Sequence, residues 1–254
     1  LPALPALAAA TVRFVEAKAE EAAAPFKVDA AARTLETPHY LVAWNEQGNI
    51  TRLFDRDNER EVLPAGERAN VLEVYEDKPI YYDNWDVDLF HMLKHEEAAA
   101  DGAPELIAEG ALRLTLRFHY TYRHSTFEQD VIFHADSRRI DFETRADWHE
   151  NHRLLKAAFP LDIRTTKATY DIQYGHVERP THFNTSWDYA RFEVVAHKWA
   201  DMSEEGYGVS VLNNCKYGHS AHDNVLRITL LKSGKYPDTE ADMGRHEFTY
   251  ALLP

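Results

Sequence analysis

The sequence predicts an all-β protein built as one large antiparallel sandwich. Two long segments alternate apolar and polar residues with a period of two, the mark of half-buried strands. Clusters of Asn, Asp, Gly and Ser punctuate the chain between such segments. No helical heptad, internal repeat or low-complexity tract interrupts the pattern.

The chain opens on LPALPALAAA and VEAKAEEAAAPF, an Ala-, Pro- and Glu-rich stretch that reads as linker or short helix. Strand candidates then begin with Tyr40–Trp44 and Val71–Tyr75. LRLTLRFHYTYR is the clearest: Leu112, Leu114, Leu116, Phe118, Tyr120 and Tyr122 share one face, with Arg113, Thr115, Arg117, His119, Thr121 and Arg123 on the other. After Phe127–Phe133, RIDFETRADW directs Ile140, Phe142, Ala146 and Trp148 inward and Asp141, Glu143, Arg145 and Asp147 outward. Phe192–Ala196, Gly208–Leu212 and Leu226–Leu231 follow, and HEFTYALLP alternates Phe248, Tyr250 and Leu252. Turns are expected at Glu46-Gln47-Gly48-Asn49, Asp57-Asn58, Ala135-Asp136-Ser137, Asn213-Asn214 and Asp223-Asn224. Leu1 is not an initiator methionine, the start lacks the basic residues of a signal peptide, and HEFTYALLP stops inside a strand pattern. An excised piece of a longer polypeptide is therefore expected, with the sandwich truncated at its C-terminal end.

With 254 residues, 44% hydrophobic and 28% charged, the composition is globular. A formal charge of −14 argues against nucleic-acid binding, because phosphates would be repelled. No stretch approaches the roughly 18 apolar residues of a transmembrane helix, so no membrane partner is expected. Cys215 is the only cysteine, which favours a reducing compartment and a cytoplasmic location.

YYDNWDVDLFH gathers Asp83, Asp86 and Asp88 around Trp85. The calcium-loop reading fails for want of its glycine and terminal glutamate. Two readings stay open: a sugar site, where the ring packs on C–H groups and carboxylates accept hydroxyl protons, and a loop whose acids cap backbone N–H groups. His91 and His95, four apart in HMLKHEE, are expected to be surface residues, since the H-E-x-x-H arrangement is absent. His134-Ala135-Asp136 offers an H-x-D pattern but falls at a hairpin turn. The irregular segment from Gly175 to Trp199 is interrupted by Pro180 and Asn184-Thr185-Ser186, and is either functional or an ordered loop sealing one end of the sandwich.

YYDNWDVD, DWHENHRLLKAAFP, GHVERPTHFNTSWDYARFEV and GYGVSVLNNCKYGHSAHDNVLRITLLKSGKYPD closely resemble the C-terminal half of bacterial-type glycoside hydrolase family 38 α-mannosidases. The resemblance runs from about Tyr40 onward. It implies a galactose-mutarotase-like β-supersandwich that follows a catalytic domain and a helical bundle. Residues 1–30 then become a linker or edge segment from the helical domain, and 31–254 the sandwich. The resemblance also implies a zinc-dependent retaining enzyme whose aspartates and zinc ligands lie on the N-terminal domain. No segment here matches those motifs, so no catalytic or metal-binding residue is carried over. In this family the sandwich folds back on the catalytic domain and loop side chains reach the cleft. On that basis Asn213, Lys216, Tyr217 and Lys232 are candidates for the substrate cleft or an interdomain contact, with Trp85 and Asp86 beside them. Asn214 stands where the family pattern suggests an acid.

The resemblance leads to a non-catalytic domain of an enzyme acting on α-mannoside oligosaccharides. Its partners would be the catalytic and helical domains of the same polypeptide, with zinc held in the catalytic domain and a homo-oligomer open. A second expectation is an autonomous carbohydrate-binding module, with YYDNWDVD and GHVERP forming a sugar groove. A third is a mutarotase-like epimerase with a His/Glu pair, although a fold does not confer a function.

Overall fold

Period-two alternation dominates the fold, seen in a computed structural model that describes residues 7–13 and 25–254. The strands in chain order begin with β1 (Lys27–Asp29), β2 (Thr34–Glu36), β3 (Tyr40–Trp44), β4 (Ile50–Asp55), β5 (Arg60–Glu61) and β6 (Val71–Glu76). A single 3-10 turn (Leu89–Leu93) leads to β7 (His95–Ala98), β8 (Glu105–Glu109), β9 (Arg113–Tyr122), β10 (Ser125–His134), β11 (Ile140–Trp148) and β12 (Arg153–Pro160). Next come β13 (Lys167–Ile172), β14 (Gly175–Pro180), the short helix α1 (Ser186–Tyr189), β15 (Val194–Val195) and β16 (Trp199–Glu204). The chain closes with β17 (Tyr207–Asn213), β18 (Gly218–His222), β19 (Val225–Lys232) and β20 (Gly244–Leu253). Most of the VEAKAEEAAAPF segment lies outside the described residues, and the first sheet begins at Lys27.

The strands form three antiparallel sheets. A nine-stranded sheet runs β14-β13-β16-β17-β20-β11-β10-β9-β8, a six-stranded sheet runs β15-β18-β19-β12-β6-β7, and β1 to β5 form a five-stranded sheet in sequence order. The expected antiparallel β-supersandwich is what the chain forms. The two larger sheets pack face to face through aromatic residues: Phe142 of β11 lies 5.9 Å from Phe159 of β12, and Phe159 meets the Tyr250 ring edge-on at 6.2 Å. Such pairs add to the transfer free energy of ring burial. Trp148, fully buried at the end of β11, stacks on Tyr122 at 6.5 Å and touches Phe127 at 5.8 Å.

One polar cluster sits inside this apolar layer. Gln129 donates to Thr144 Oγ1 and to Tyr250 Oη, each at 2.9 Å, and accepts from Asn70 Nδ2 at 2.7 Å. The Tyr250 hydroxyl donates in turn to Asn70 Oδ1 at 2.6 Å, closing a ring of bonds among buried groups. Because each member is partnered, the cluster escapes the penalty of burying bare polar atoms.

The alternation on β9 and β11 is close to the sequence expectation, departing at Leu112, at Thr115, which is buried on the polar face, and at Asp141. Leu112 precedes β9 and is 70% exposed, because the strand begins at Arg113 and the chain there is already turning. Asp141, read as outward, is buried because His134 Nε2 at 2.7 Å and Arg139 Nε at 2.7 Å cover it. That contact also shows what the H-x-D histidine does. It pairs with a neighbouring strand's carboxylate, while Asp136 stays in the turn. The Phe192–Ala196 strand shrinks to Val194–Val195, since Phe192 and Glu193 leave the sheet edge to cover a face of the six-stranded sheet.

Candidate functional site

On the six-stranded sheet, one face supplies Leu72, Val74, Leu155, Ala157, Leu226 and Ile228 to the core. The alternation therefore sends Glu73 and Tyr75 of β6, Lys156 of β12, Arg227 of β19 and Ser220 of β18 to the opposite face. In most sandwiches that face would meet water. Here it is roofed by the 3-10 turn carrying His91 and by Phe183, Phe192 and Glu193 from the Gly175–Trp199 segment, leaving a cavity of about 210 Å³. The roof segment is anchored by α1, where Thr185 and Asp188 form a reciprocal capping box.

Charges in the cavity are paired. Lys156, 1% exposed, forms an ion pair with Glu193 and donates to Ser220 Oγ at 3.3 Å. Burial, reinforced by the nearby Arg227 guanidinium, lowers the Lys156 ammonium to about 7. Arg227 Nε donates to Glu73 Oε2 at 2.7 Å, and the Tyr75 hydroxyl donates to the same oxygen at 2.6 Å. Burial alone would raise the Glu73 carboxyl, but these donors outweigh it and hold the group below the ordinary carboxylate value.

His91 is buried, contrary to its expected surface position, because the 3-10 turn folds it inward onto the sheet. Its ring meets Tyr75 at 5.3 Å and Phe192 at 5.8 Å. Burial, helped by Lys156, lowers His91 to about 4, so the imidazole is neutral at physiological pH. Its Nδ1 lies 2.8 Å from the Asp88 carbonyl oxygen, which can only accept, so Nδ1 carries the proton and Nε2 presents a lone pair. That Nε2 faces Glu193 Oε1 across 3.8 Å. His95, exposed on β7, packs on Tyr75 at 5.0 Å; with His91 on the 3-10 turn and His95 on a strand, the two histidines do not share a helix face.

The six residues singled out from the sequence gather elsewhere, at one end of the sandwich. The register places Leu154 opposite Lys232 and Arg153 opposite Glu76, so β19 and β6 leave the sheet at the same end, and β18 enters it there. Trp85 is 67% exposed against Tyr82 at 5.8 Å, and Asp86 donates its backbone N–H to Tyr82 O at 2.9 Å. Asp83 is the tied acid of that loop: it accepts from the amides of Lys235 at 2.8 Å and Tyr236 at 2.6 Å. Burial works to raise its carboxyl, but those two amides and His152 hold it below the usual range. Asp88 caps the amide of Ile80 at 2.7 Å. Lys232 pairs with the fully buried Asp77, whose carboxyl burial raises in spite of that partner. Asn213 bridges the next loop, donating to His197 O at 2.9 Å and accepting from Lys216 N at 2.7 Å. Lys216 lies 4.5 Å over the Phe248 ring, where burial lowers its ammonium, and Tyr217 is half-exposed, edge-on to His197 at 5.8 Å.

Sequence reasoning missed Lys156, Glu193 and Arg227. The available signal was a lysine inside the apolar run LLKAAF, in a strand covered on both faces. Among the described residues, no three His, Cys, Asp or Glu side chains are arranged to hold a metal ion.

Comparison with known proteins gives one consistent result. Residues 35–240 match the glycosyl hydrolases family 38 C-terminal domain. The chain is 41% identical to human alpha-mannosidase 2C1 over 223 residues, covering 87% of this chain and 21% of that protein. It is 42% identical to alpha-mannosidase G of Dictyostelium discoideum over 213 residues, 82% of this chain and 20% of that one. The chain thus spans about a fifth of the curated relatives it matches. The crystal structure of an alpha-mannosidase from Enterococcus faecalis V583 superposes with a TM-score of 0.75 at 14% identity, over 93% of this chain and 30% of that one, and shares its fold. By the match over residues 35–240, the chain belongs to the glycosyl hydrolases family 38 C-terminal domain family.

Proposed function

We propose that this chain is the non-catalytic C-terminal β-sandwich of an α-mannosidase acting on α-mannoside oligosaccharides. The observation that carries the proposal is the identity of 41–42% to alpha-mannosidases along more than four-fifths of the chain. In the whole protein the sandwich packs on the catalytic and helical domains of the same polypeptide, in the cytoplasm, and presents a surface for a homo-oligomer. Trp85, Asp86, Asn213, Lys216, Tyr217 and Lys232, gathered at one end, are the side chains assigned to the substrate cleft or to the interdomain contact. Exposed Trp85 and Tyr217 offer ring faces, while the amide and ammonium groups offer donors to hydroxyls. The proposal gives zinc to the catalytic domain.

The test compares the full-length protein with this chain alone on an aryl α-mannoside. The full-length protein should hydrolyse it and the chain alone should not. Turnover by the isolated chain would overturn the division of labour. Within the full-length protein, Trp85→Ala and Tyr217→Ala should raise KM; unchanged KM and kcat in both would remove this end from the cleft.

A further inference from the structure

None of the six candidates at the end of the sandwich lines the roofed cavity on the six-stranded sheet, and the cavity has no part in the function proposed above. Its size and donor set narrow what it can hold. At about 210 Å³ it is smaller than the roughly 300–1,000 Å³ of pockets that take drug-sized ligands, which limits the occupant to about one sugar ring. Both cations are neutralised, Lys156 by Glu193 and Arg227 by Glu73, so the cavity has no excess positive charge to draw an anion, while the Lys156 ammonium, with three N–H donors, can still donate to a neutral hydroxyl.

What the cavity does offer is a pair of acceptors beside a donor. The Nε2 lone pair of neutral His91 and the Glu193 carboxylate face each other across 3.8 Å, and neither can donate to the other. A ligand that donates to both and accepts from Lys156 fits that set, which is how adjacent hydroxyls of a polyol behave. Apolar surface lines the same cavity: Phe183 stacks on His222 at 4.1 Å and Phe192 leans on His91, giving aromatic contact for C–H groups. We infer that this cavity is a binding site for a neutral monosaccharide-sized polyol, with Glu193 and His91 accepting from its hydroxyls and Lys156 donating to them. The site is independent of whether the parent protein is a mannosidase.

Titration calorimetry of the chain with D-mannose, D-glucose and D-galactose tests it directly. At least one sugar should bind with a millimolar dissociation constant, and Glu193→Gln should weaken that binding at least tenfold. Phe183→Ala, on the partly exposed roof, should weaken it several-fold and serves as the deciding variant if Glu193→Gln does not fold. No heat from any of the three sugars overturns the inference. So does binding that survives Phe183→Ala but is lost in Tyr217→Ala, which would move the sugar to the end loops.

Discussion

Acidification from pH 7.5 to 5.5 should destabilise this chain through two buried imidazoles. His91 and His219 are 2% and 0% exposed, and burial lowers both from the ordinary 6.5 to about 4. Between those values the unfolded chain binds a proton at each position and the folded chain does not, so stability falls as the pH falls through the window. At pH 5.5 the loss is about 1.4 kcal/mol per histidine, or about 3 kcal/mol for the pair, while most unfolded-state carboxylates are still ionised. Lys156 adds in the same direction at higher pH: its folded value near 7 against 10.5 means stability still rises as the pH climbs between them. Urea melts at half-unit pH steps, for the native chain and for His219→Phe, measure the effect. The variant should lose about 1.4 kcal/mol less than the native chain across the window, and the difference isolates one ring from the other histidines. Proton NMR supplies a direct check, since neither ring should titrate above pH 5. An imidazole signal from His91 or His219 with a midpoint near 6.5 would refute the reasoning.

Two further outcomes follow from the packing. Gln129→Leu leaves Asn70, Thr144 and Tyr250 short of partners in the core and should cost about 2–4 kcal/mol, read as a lower urea midpoint with unchanged slope; a loss under about 1 kcal/mol would mean the cluster is dispensable. Gly234→Ala would put a Cβ 2.6 Å from the Asp83 carbonyl oxygen, so the two loops must part. Faster proteolysis within residues 80–88 is expected, and an unaltered digestion pattern would show that the loops can shift without parting.

Much of this architecture is legible in the sequence because β9 and β11 each bury one face only, and alternation survives there. It fails on β12, where Leu154 to Pro160 are all buried. A strand covered on both sides shows no period, and a lysine within it reads as noise unless its roof is known. The cavity was illegible for the same reason. Glu193 and Lys156 are 37 positions apart in sequence, and only the departure of Phe192–Glu193 from the sheet edge brings them together. His91 looked like a surface residue because HMLKHEE is polar by composition; a single 3-10 turn after Asp88 was enough to turn its ring inward. The tied aspartates of YYDNWDVD are different again. Both open readings place acids beside a tryptophan, and only the amides of Lys235 and Tyr236, some 150 positions away, show what Asp83 does.

That long-range tie has a mechanical consequence. Asp83 and Asn84 grip the 235–238 stretch through Lys235 N, Tyr236 N, Tyr236 O and Asp238 O. Severing the backbone at the exposed Tyr81-Tyr82 step would leave both halves of this clasp on one fragment, while the ladders of β6 with β7 and β12 hold the other fragment in place. The clasp would then keep the 83–84 loop seated on the 235–238 stretch without its link to β6.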